Sequence, residues 1–395
     1  MKTLEKSEIE SISRKDHINF LAGVFCFWFA IYIYAPVFGV YLESIGFSYS
    51  VIGIILGSYG ITQILLRFPL GILSDFLHNA RKKLLIGGFI MALLSSLLLV
   101  FFDSFIMILI SRLLAGVTAS MWVMATVLYS YYFSAGKSAK AMGTLQFVTV
   151  ATQFLSMAIS GYLVHLFGWH FPFWVGAVAS VLGIYFIWNI KEVHQNKIEK
   201  EKSGIGLHTK KTIRLPHLKM LTFLSLIAHA ILFITIFGFS LIVASSLGVP
   251  EKSFIWLTCA FFIPHALASL GLVFYEIESR FNKRVLSICF GLTALLLVLI
   301  PFSESLFSLS VLHAGIGLTL GFIFPLLLSE VVRVSPADLK MSAMGFFQSF
   351  YALGIFLGPL LAGMIADSIG LNEVFVFTGV LSLVASLLVI WVVRR

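Results

Sequence analysis

Five ionisable side chains interrupt long apolar stretches of this chain, and their types could do chemistry there. They are Arg67, Arg112, His229, His265 and His313. A charged group in hydrocarbon costs roughly 2.5–3.5 kcal/mol on insertion scales, so such residues are rare and often line a solute or proton pathway. A guanidinium can hold an anion through two parallel hydrogen bonds, and an imidazole can exchange a proton near neutral pH. For each histidine, a hydrogen bond between two helices is an equally good explanation.

The stretches around these residues are long enough to cross a membrane. Of the 395 residues, 59% are hydrophobic and 11% are charged, whereas soluble domains have about 45–50% and about 25%. Blocks of about 20 apolar residues cross the hydrocarbon core as helices, since open strand edges cannot lie in lipid. The sequence therefore predicts an all-α integral membrane protein. Its spans 1 to 12 are predicted, in order, at 18–42, 51–74, 84–102, 104–133, 141–165, 171–190, 218–246, 253–275, 285–302, 305–329, 341–366 and 372–393.

The basic residues lie almost entirely on one side of this twelve-span arrangement. Of the 27 lysines and arginines, 24 lie on that side; Lys252 alone lies on the other, and Arg67 and Arg112 fall inside spans. Cytoplasmic loops carry an excess of Lys and Arg, so both termini are predicted to be cytoplasmic. The net charge of +9 then reflects membrane topology, and we expect the lipid bilayer rather than a nucleic acid as the partner.

The two halves of the chain repeat each other. An offset of 201 residues carries Asp103 to Glu304, Arg112 to His313 and Gly116 to Gly317. An offset of 202 carries Ala141-Met142-Gly143 with Gln146 to Ala343-Met344-Gly345 with Gln348. Such repeats predict two pseudo-symmetric six-helix bundles with a solute site between them. The predicted divisions are a cytoplasmic tail at 1–17, a first bundle at 18–190, a cytoplasmic linker at 191–217 and a second bundle at 218–395.

The end of span 2 carries a recognisable motif. Gly71-Ile72-Leu73-Ser74-Asp75, followed by Arg81-Lys82-Lys83, resembles the signature between spans 2 and 3 of the major facilitator superfamily, although Phe76 replaces its usual basic residue. The resemblance implies the major facilitator fold and a latch that closes the cytoplasmic side. A carboxylate at a helix end can pair with basic residues or with the N-terminus of a neighbouring helix. The resemblance assigns this cytoplasmic gate to Gly71, Asp75, Arg81 and Lys82; simple topogenic charge is the alternative.

Span 4 supplies a second point of resemblance. Arg112 followed by Gly116 is similar to a family signature that drug–proton antiporters link to proton coupling. A polar clamp to neighbouring backbone is the structural alternative. The antiporter signature Gly-x-x-x-Gly-Pro is missing from span 5, where Ser156-Met157 stands, although span 11 has Gly358-Pro359. The whole pattern most resembles bacterial 12-span drug and metabolite efflux members.

The candidate proton carriers are histidines, because no acidic residue lies deep in a predicted span. His313 is the first choice, since the repeat places it opposite Arg112. Arg67, within Arg67-Phe68-Pro69-Leu70-Gly71, also resembles span 2 of nitrate-type anion porters, which hold their anion with an arginine from each half. The matching arginine of span 8 is absent. Pairing with Asp75 is the alternative role for Arg67.

A cavity with apolar walls and few polar anchors is expected between the bundles. Such a pocket suits amphipathic or aromatic metabolites and drugs. The predicted lining and coupling residues are Tyr32, Gln63, Arg67, Arg112, Trp122, Gln146, Gln153, His229, His265, His313 and Gln348.

The sequence favours a secondary transporter of the bacterial inner membrane that works as a monomer by alternating access. We expect proton-coupled export of an organic metabolite or drug; import or exchange of small organic anions through Arg67 and Arg112 is the alternative. The loops contain no convergent cluster that would suit an enzyme. Neither a metal nor a cofactor is expected, because Cys26, Cys259 and Cys289 lie inside spans without metal-ligand spacing.

Overall fold

The computed structural model describes residues 12–73, 81–130, 132–133, 138–191, 210–215, 217–274, 279–334 and 340–393. Within these ranges, twelve helical spans are long and apolar enough to cross a membrane. The predicted all-helical membrane fold is therefore confirmed. The helices are Arg14–Tyr32, Ala35–Ser44, Tyr49–Leu73, Arg81–Phe101, Phe105–Ser120, Trp122–Ser130, Ser138–Phe167, Phe171–Trp188, Leu218–Ile234, Ser240–Ser246, Phe254–Phe274, Ser279–Leu299, Leu306–Val334, Lys340–Ser368 and Leu371–Val393.

Several sequence-based predictions fall wholly or partly outside the described residues. Asp75 of the predicted gate lies outside them, as do most of the tail at 1–17 and most of the linker at 191–217. Gln146 belongs to the helix Ser138–Phe167, but its side chain is also outside the described part. These remain predictions from sequence.

Three spans that were predicted to be continuous helices are interrupted. Span 1 consists of Arg14–Tyr32 and Ala35–Ser44, with Pro36 in the first turn of the second segment. The first turn of a helix tolerates proline, because a backbone N–H would have no partner there. Span 4 breaks at Met121, and span 7 contains a π-helical turn at Thr235–Phe239. Such turns often occur at functional sites.

The two halves are packed together most closely at one end of the bundle. We call this the distal end; it carries the short connections 45–48 and 369–370, opposite the end at which span 1 begins. A β-carbon on Gly53 would overlap the carbonyl oxygen of Pro359, and one on Gly57 would overlap that of Phe356. Small residues let helix backbones approach closely, and here they join span 2 of the first half to span 11 of the second.

A carboxylate reinforces this distal contact. The backbone N–H groups of Tyr49 and Ser50 each donate a hydrogen bond of 2.8 Å to the two carboxylate oxygens of Asp367. The first N–H groups of a helix have no partner within it, and they attract negative charge. Asp367 therefore caps span 2 from the opposite half.

Equivalent positions in the two halves make equivalent contacts. A β-carbon on Gly116 of span 4 would overlap the carbonyl oxygen of Tyr59, and one on Gly317 of span 10 would overlap that of Phe261. The two glycines are 201 residues apart, and the two aromatic residues are 202 apart. The sequence repeat thus corresponds to a structural one.

Candidate functional site

Arg112 lies near the middle of the bundle, against aromatic rings. Its guanidinium carbon is 4.8 Å from the centre of the Tyr59 ring and 5.3 Å from that of Phe38. The residue is only 6% exposed, and its Nε has no hydrogen-bond partner. No carboxylate in the described part of the chain lies within ion-pair distance of it. Cation–π contact is favourable, but it does not neutralise the charge.

A cavity of about 20 Å³ adjoins the Arg112 side chain. Both halves form its wall, since Phe233 and Phe237 belong to span 7. The Tyr32 ring contacts the Phe237 ring at an interplanar angle of 53° with centres 5.5 Å apart, and Tyr59 stacks on Phe233 with centres 6.3 Å apart. The lining residues are Ile31, Tyr32, Ala35, Phe38, Leu56, Tyr59, Arg112, Phe233 and Phe237.

Arg67 takes part in a second cluster that joins the halves. Its Nη1 donates a hydrogen bond to the Tyr351 hydroxyl of span 11, and its Nε has no partner. The Tyr351 ring lies face to face with His229 of span 7, with centres 4.0 Å apart and an interplanar angle of 5°. His229 Nδ1 lies 2.8 Å from the Ser225 carbonyl oxygen, to which it donates. A neutral imidazole in this state keeps Nε2 as a hydrogen-bond acceptor.

An aromatic wall leads to the cavity beside Arg112. Trp122 of span 4 meets Trp28 of span 1 with ring centres 5.2 Å apart, and Trp28 meets Tyr32 at 5.5 Å. The indole Nε1 of Trp28 is buried without a hydrogen-bond partner. The predicted residues Tyr32 and Trp122 therefore belong to one aromatic surface, which also contains Trp28.

His313, the residue first predicted to carry protons, is bound on both ring nitrogens. It is 0% exposed. Its Nδ1 donates to the Leu309 carbonyl oxygen at 2.8 Å, and its Nε2 accepts from the Ser240 hydroxyl at 2.7 Å. The imidazole thus links span 10 to span 7. This agrees with the alternative role given above for each histidine, a hydrogen bond between two helices.

The other predicted polar residues are distributed around the interface. Gln63 is buried, and its Nε2 donates to the Tyr59 carbonyl oxygen at 2.9 Å. His265 stacks on Phe261 with ring centres 5.7 Å apart, while its Nδ1 is buried without a partner. Gln153 and Gln348 are half-buried. The structure therefore groups Arg112 with Tyr32 and Trp122, and Arg67 with His229.

The described residues of the predicted gate are Gly71, Arg81 and Lys82, which belong to helices of the first half. Arg81 is buried, and Lys82 Nζ donates to the carbonyl oxygen of Ile190 at the end of span 6, at 2.7 Å. Gly71 lies in the last turn of the helix Tyr49–Leu73. Because Asp75 is outside the described residues, the latch itself stays a prediction.

Sequence reasoning missed Tyr351, Phe38 and Tyr59. Tyr59 lies one helical turn before Gln63 and therefore on the same face of span 2, so the prediction that Gln63 lines the cavity could also have indicated Tyr59. No comparable signal marked Tyr351, because the position 202 residues earlier is Thr149. Its contact with Arg67 exists only because spans 2 and 11 pack together.

A family model described as "Major Facilitator Superfamily" matches residues 20–243 and 221–395. The chain belongs to the major facilitator superfamily. The resemblance seen in its motifs is thereby confirmed. As a member of the superfamily, the chain is a multi-pass membrane transporter of small-molecule solutes and not an enzyme.

Several curated superfamily members are similar over nearly the whole chain. The inner membrane transport protein YajR of Escherichia coli is 26% identical, covering 91% of this chain and 78% of the relative. Multidrug resistance protein 2 of Bacillus subtilis is 23% identical, covering 95% and 94%. The multi-drug resistance efflux pump PmrA of Streptococcus pneumoniae is 24% identical, covering 91% and 90%.

A solved structure shares the superfamily fold. A mutant form of the nucleoside transporter NupG superposes with a TM-score of 0.76 at 18% identity, covering 95% of this chain and 99% of that one. At this identity the likeness concerns the fold alone.

Proposed function

We propose that this transporter exports an organic metabolite or drug from the cytoplasm in exchange for protons, by alternating access of the region between its halves. Two relatives that match most of the chain are named for multidrug resistance and multi-drug efflux. Aromatic walls with few polar anchors suit an amphipathic or aromatic solute. The inner membrane and a monomeric state belong to the same proposal.

The observation that carries the proposal is the cluster of Arg67, Tyr351 and His229. Arg67 belongs to the first half, and the other two belong to the second. Rocking of one half against the other would separate Arg67 from Tyr351, so this contact can persist in only one of the two access states. A solute that competes for Arg67 or Tyr351 would then bias the equilibrium between those states.

His229 is the proposed proton carrier of this cluster. It keeps an acceptor nitrogen, and it lies within electrostatic range of Arg67. A proton on His229 would place a second positive charge beside the guanidinium. The two like charges repel each other, so protonation would favour separation of the halves at this cluster. His313 is a weaker candidate, because both of its nitrogens already have partners.

Everted membrane vesicles test this proposal. Respiration acidifies their lumen, and a pH-sensitive acridine dye reports the gradient. We expect addition of ethidium or salicylate to vesicles with the wild-type protein to release protons and restore dye fluorescence. His229→Gln should abolish that response while inserting normally, and Asn189→Gln at the exposed end of span 6 serves as the matched control. Absence of proton release with both probes, at normal protein levels, would contradict the proposal.

Import or exchange of small organic anions is the second candidate. It is favoured because neither Arg67 nor Arg112 meets a carboxylate among the residues that the structure describes. On this alternative, Arg67→Gln abolishes uptake of radiolabelled salicylate by intact cells and leaves ethidium efflux unchanged. Salicylate uptake that survives the substitution would reject it.

The gate and the topology complete the proposal. Asp75, with Gly71, Arg81 and Lys82, would close the cytoplasmic mouth, and both chain ends would lie in the cytoplasm. The distribution of basic residues supports this orientation. Reporter fusions at the two termini test it: activity of a periplasm-dependent reporter at either end would exclude the arrangement.

A further inference from the structure

Arg112 carries a positive charge that no described group of the protein neutralises. It is 6% exposed, and its Nε has no partner. Its close neighbours are the aromatic rings of Tyr59 and Phe38. Burying an arginine away from water is unfavourable unless it is paired, and arginine does not lose its proton in proteins. Cation–π contact offsets only part of that cost. A counter-charge beside the guanidinium would therefore stabilise the protein.

The cavity beside Arg112 has the dimensions and chemistry for such a counter-charge. Its volume is about 20 Å³, and a space of roughly 10–15 Å³ already holds a water molecule. Its wall contains two side chains that bear hydroxyl groups, Tyr32 and Tyr59, together with Phe38, Phe233 and Phe237. A hydroxyl group can donate a hydrogen bond to an anion. A single-atom anion fits such a space, but the carboxylate of an organic solute would bring a carbon skeleton that does not.

We propose that this cavity binds a small inorganic anion of the chloride class, which neutralises Arg112. The wall includes Phe233 and Phe237 from the second half, so the site is complete only while the halves meet at these rings. The anion therefore stabilises this arrangement of the halves. The inference is independent of the direction of transport and of the transported solute.

The experiment uses the purified full-length protein in detergent. Binding of radiolabelled chloride is measured by scintillation proximity, and the unfolding midpoint is measured in sodium chloride and in sodium gluconate at equal ionic strength. We expect saturable binding of about one chloride per chain, and a midpoint higher by several degrees in chloride, since a ligand specific for the folded state stabilises it. Arg112→Met should lose both effects. Arg67→Met, which removes the other buried guanidinium, should keep both.

Ala35→Val gives an independent test that leaves the guanidinium in place. Ala35 lines the cavity at the start of a helix, so two added methyl groups would reduce its volume. We expect at least a tenfold loss of chloride affinity in this variant, even if Arg112→Met proves too unstable to purify.

Three results would overturn the proposal. The first is an equal unfolding midpoint in chloride and gluconate for the wild type. The second is undiminished chloride binding by Arg112→Met or Ala35→Val. The third is stabilisation by salicylate in chloride-free buffer that depends on Arg112 while chloride has no effect, because the ligand would then be a solute carboxylate. Since none of these measurements requires transport, they stand apart from the failure or success of the export assay.

Discussion

Arg112 and His313 occupy the same position in the two halves, but Arg112 contacts aromatic rings whereas His313 is hydrogen-bonded on both ring nitrogens. Each is followed one turn later by a glycine that packs on a backbone carbonyl of the neighbouring span. Around Arg112 the neighbours are Phe38 and Tyr59, and 202 residues later these positions hold Ser240 and Phe261. The hydroxyl of Ser240 satisfies His313, whereas Phe38 offers Arg112 only a ring.

This difference shows how a symmetric scaffold can carry an asymmetric site. In the second half, the polar side chain is used to tie two helices together. In the first half, the charge is left facing a cavity, where a ligand can complete its interactions. Small residues allow the helices to pack closely in both halves. The identity of one neighbour, phenylalanine or serine, then decides whether the buried polar side chain is hydrogen-bonded within the protein or is free to bind a ligand.

Removal of the charge should have the largest effect. We expect Arg112→Met to weaken chloride binding by about 30-fold or more, because loss of a buried charge that meets a ligand costs about 2 kcal/mol or more. The chloride affinity of His313→Gln should stay within about threefold of wild type. Equilibrium binding of radiolabelled chloride to the purified proteins measures both. Equal losses in the two variants would remove the distinction between the halves.

The glycines test where the halves are alike. An added β-carbon at Gly116 or Gly317 would overlap the carbonyl oxygen of Tyr59 or Phe261. We expect Gly116→Ala and Gly317→Ala each to destabilise the protein by about 1–3 kcal/mol, which is typical of overpacking. Gly87→Ala is the control, since nothing lies near its added carbon. Thermal unfolding in detergent measures all three, and a loss confined to one half would show that the packing is not equivalent.

Substitution of Ser240 tests the hydrogen bond that links spans 7 and 10 in the second half. Ser240→Ala leaves His313 Nε2 buried without a donor, which should cost about 1–3 kcal/mol of stability. Ser246→Ala, on the same span, removes only a bond to the Val243 carbonyl oxygen and should be nearly neutral. Combining Ser240→Ala with His313→Leu should recover much of the loss, because no polar group is then left unpaired. If the losses of stability from the two substitutions were additive, this would contradict a hydrogen bond between Ser240 and His313.

The smallest expected effect comes from making one position alike in both halves. Tyr59→Phe gives the first half the residue that the second half has at Phe261, and it keeps the ring under Arg112. We expect chloride affinity to fall by about threefold to tenfold, the range for loss of one hydrogen bond. A loss as large as that of Arg112→Met would show that the hydroxyl, rather than the guanidinium, dominates the site.

Much of the architecture could be read from the sequence. The apolar blocks gave twelve spans, and the repeat correctly paired Gly116 with Gly317. The breaks in spans 1, 4 and 7 were missed, because short interruptions hardly change average hydrophobicity. Among the site residues, Arg67, Arg112 and His229 stand out as polar groups in apolar blocks. Tyr351 does not, since aromatic residues are abundant throughout the chain.

The sequence by itself determined that this is a two-bundle membrane transporter. Unpaired backbone N–H and C=O groups are unfavourable in lipid, so apolar blocks of this length form helices, which satisfy those groups internally. It also determined which side chains would be unfavourable to bury in lipid. Only the tertiary structure decided which contacts compensate for the burial of each of these side chains. Ser240 reaches His313 across 73 residues of chain, and Tyr351 reaches Arg67 across 284, while Arg112 reaches rings and a cavity. Partners that distant along the chain are set by helix packing, which local sequence patterns do not encode.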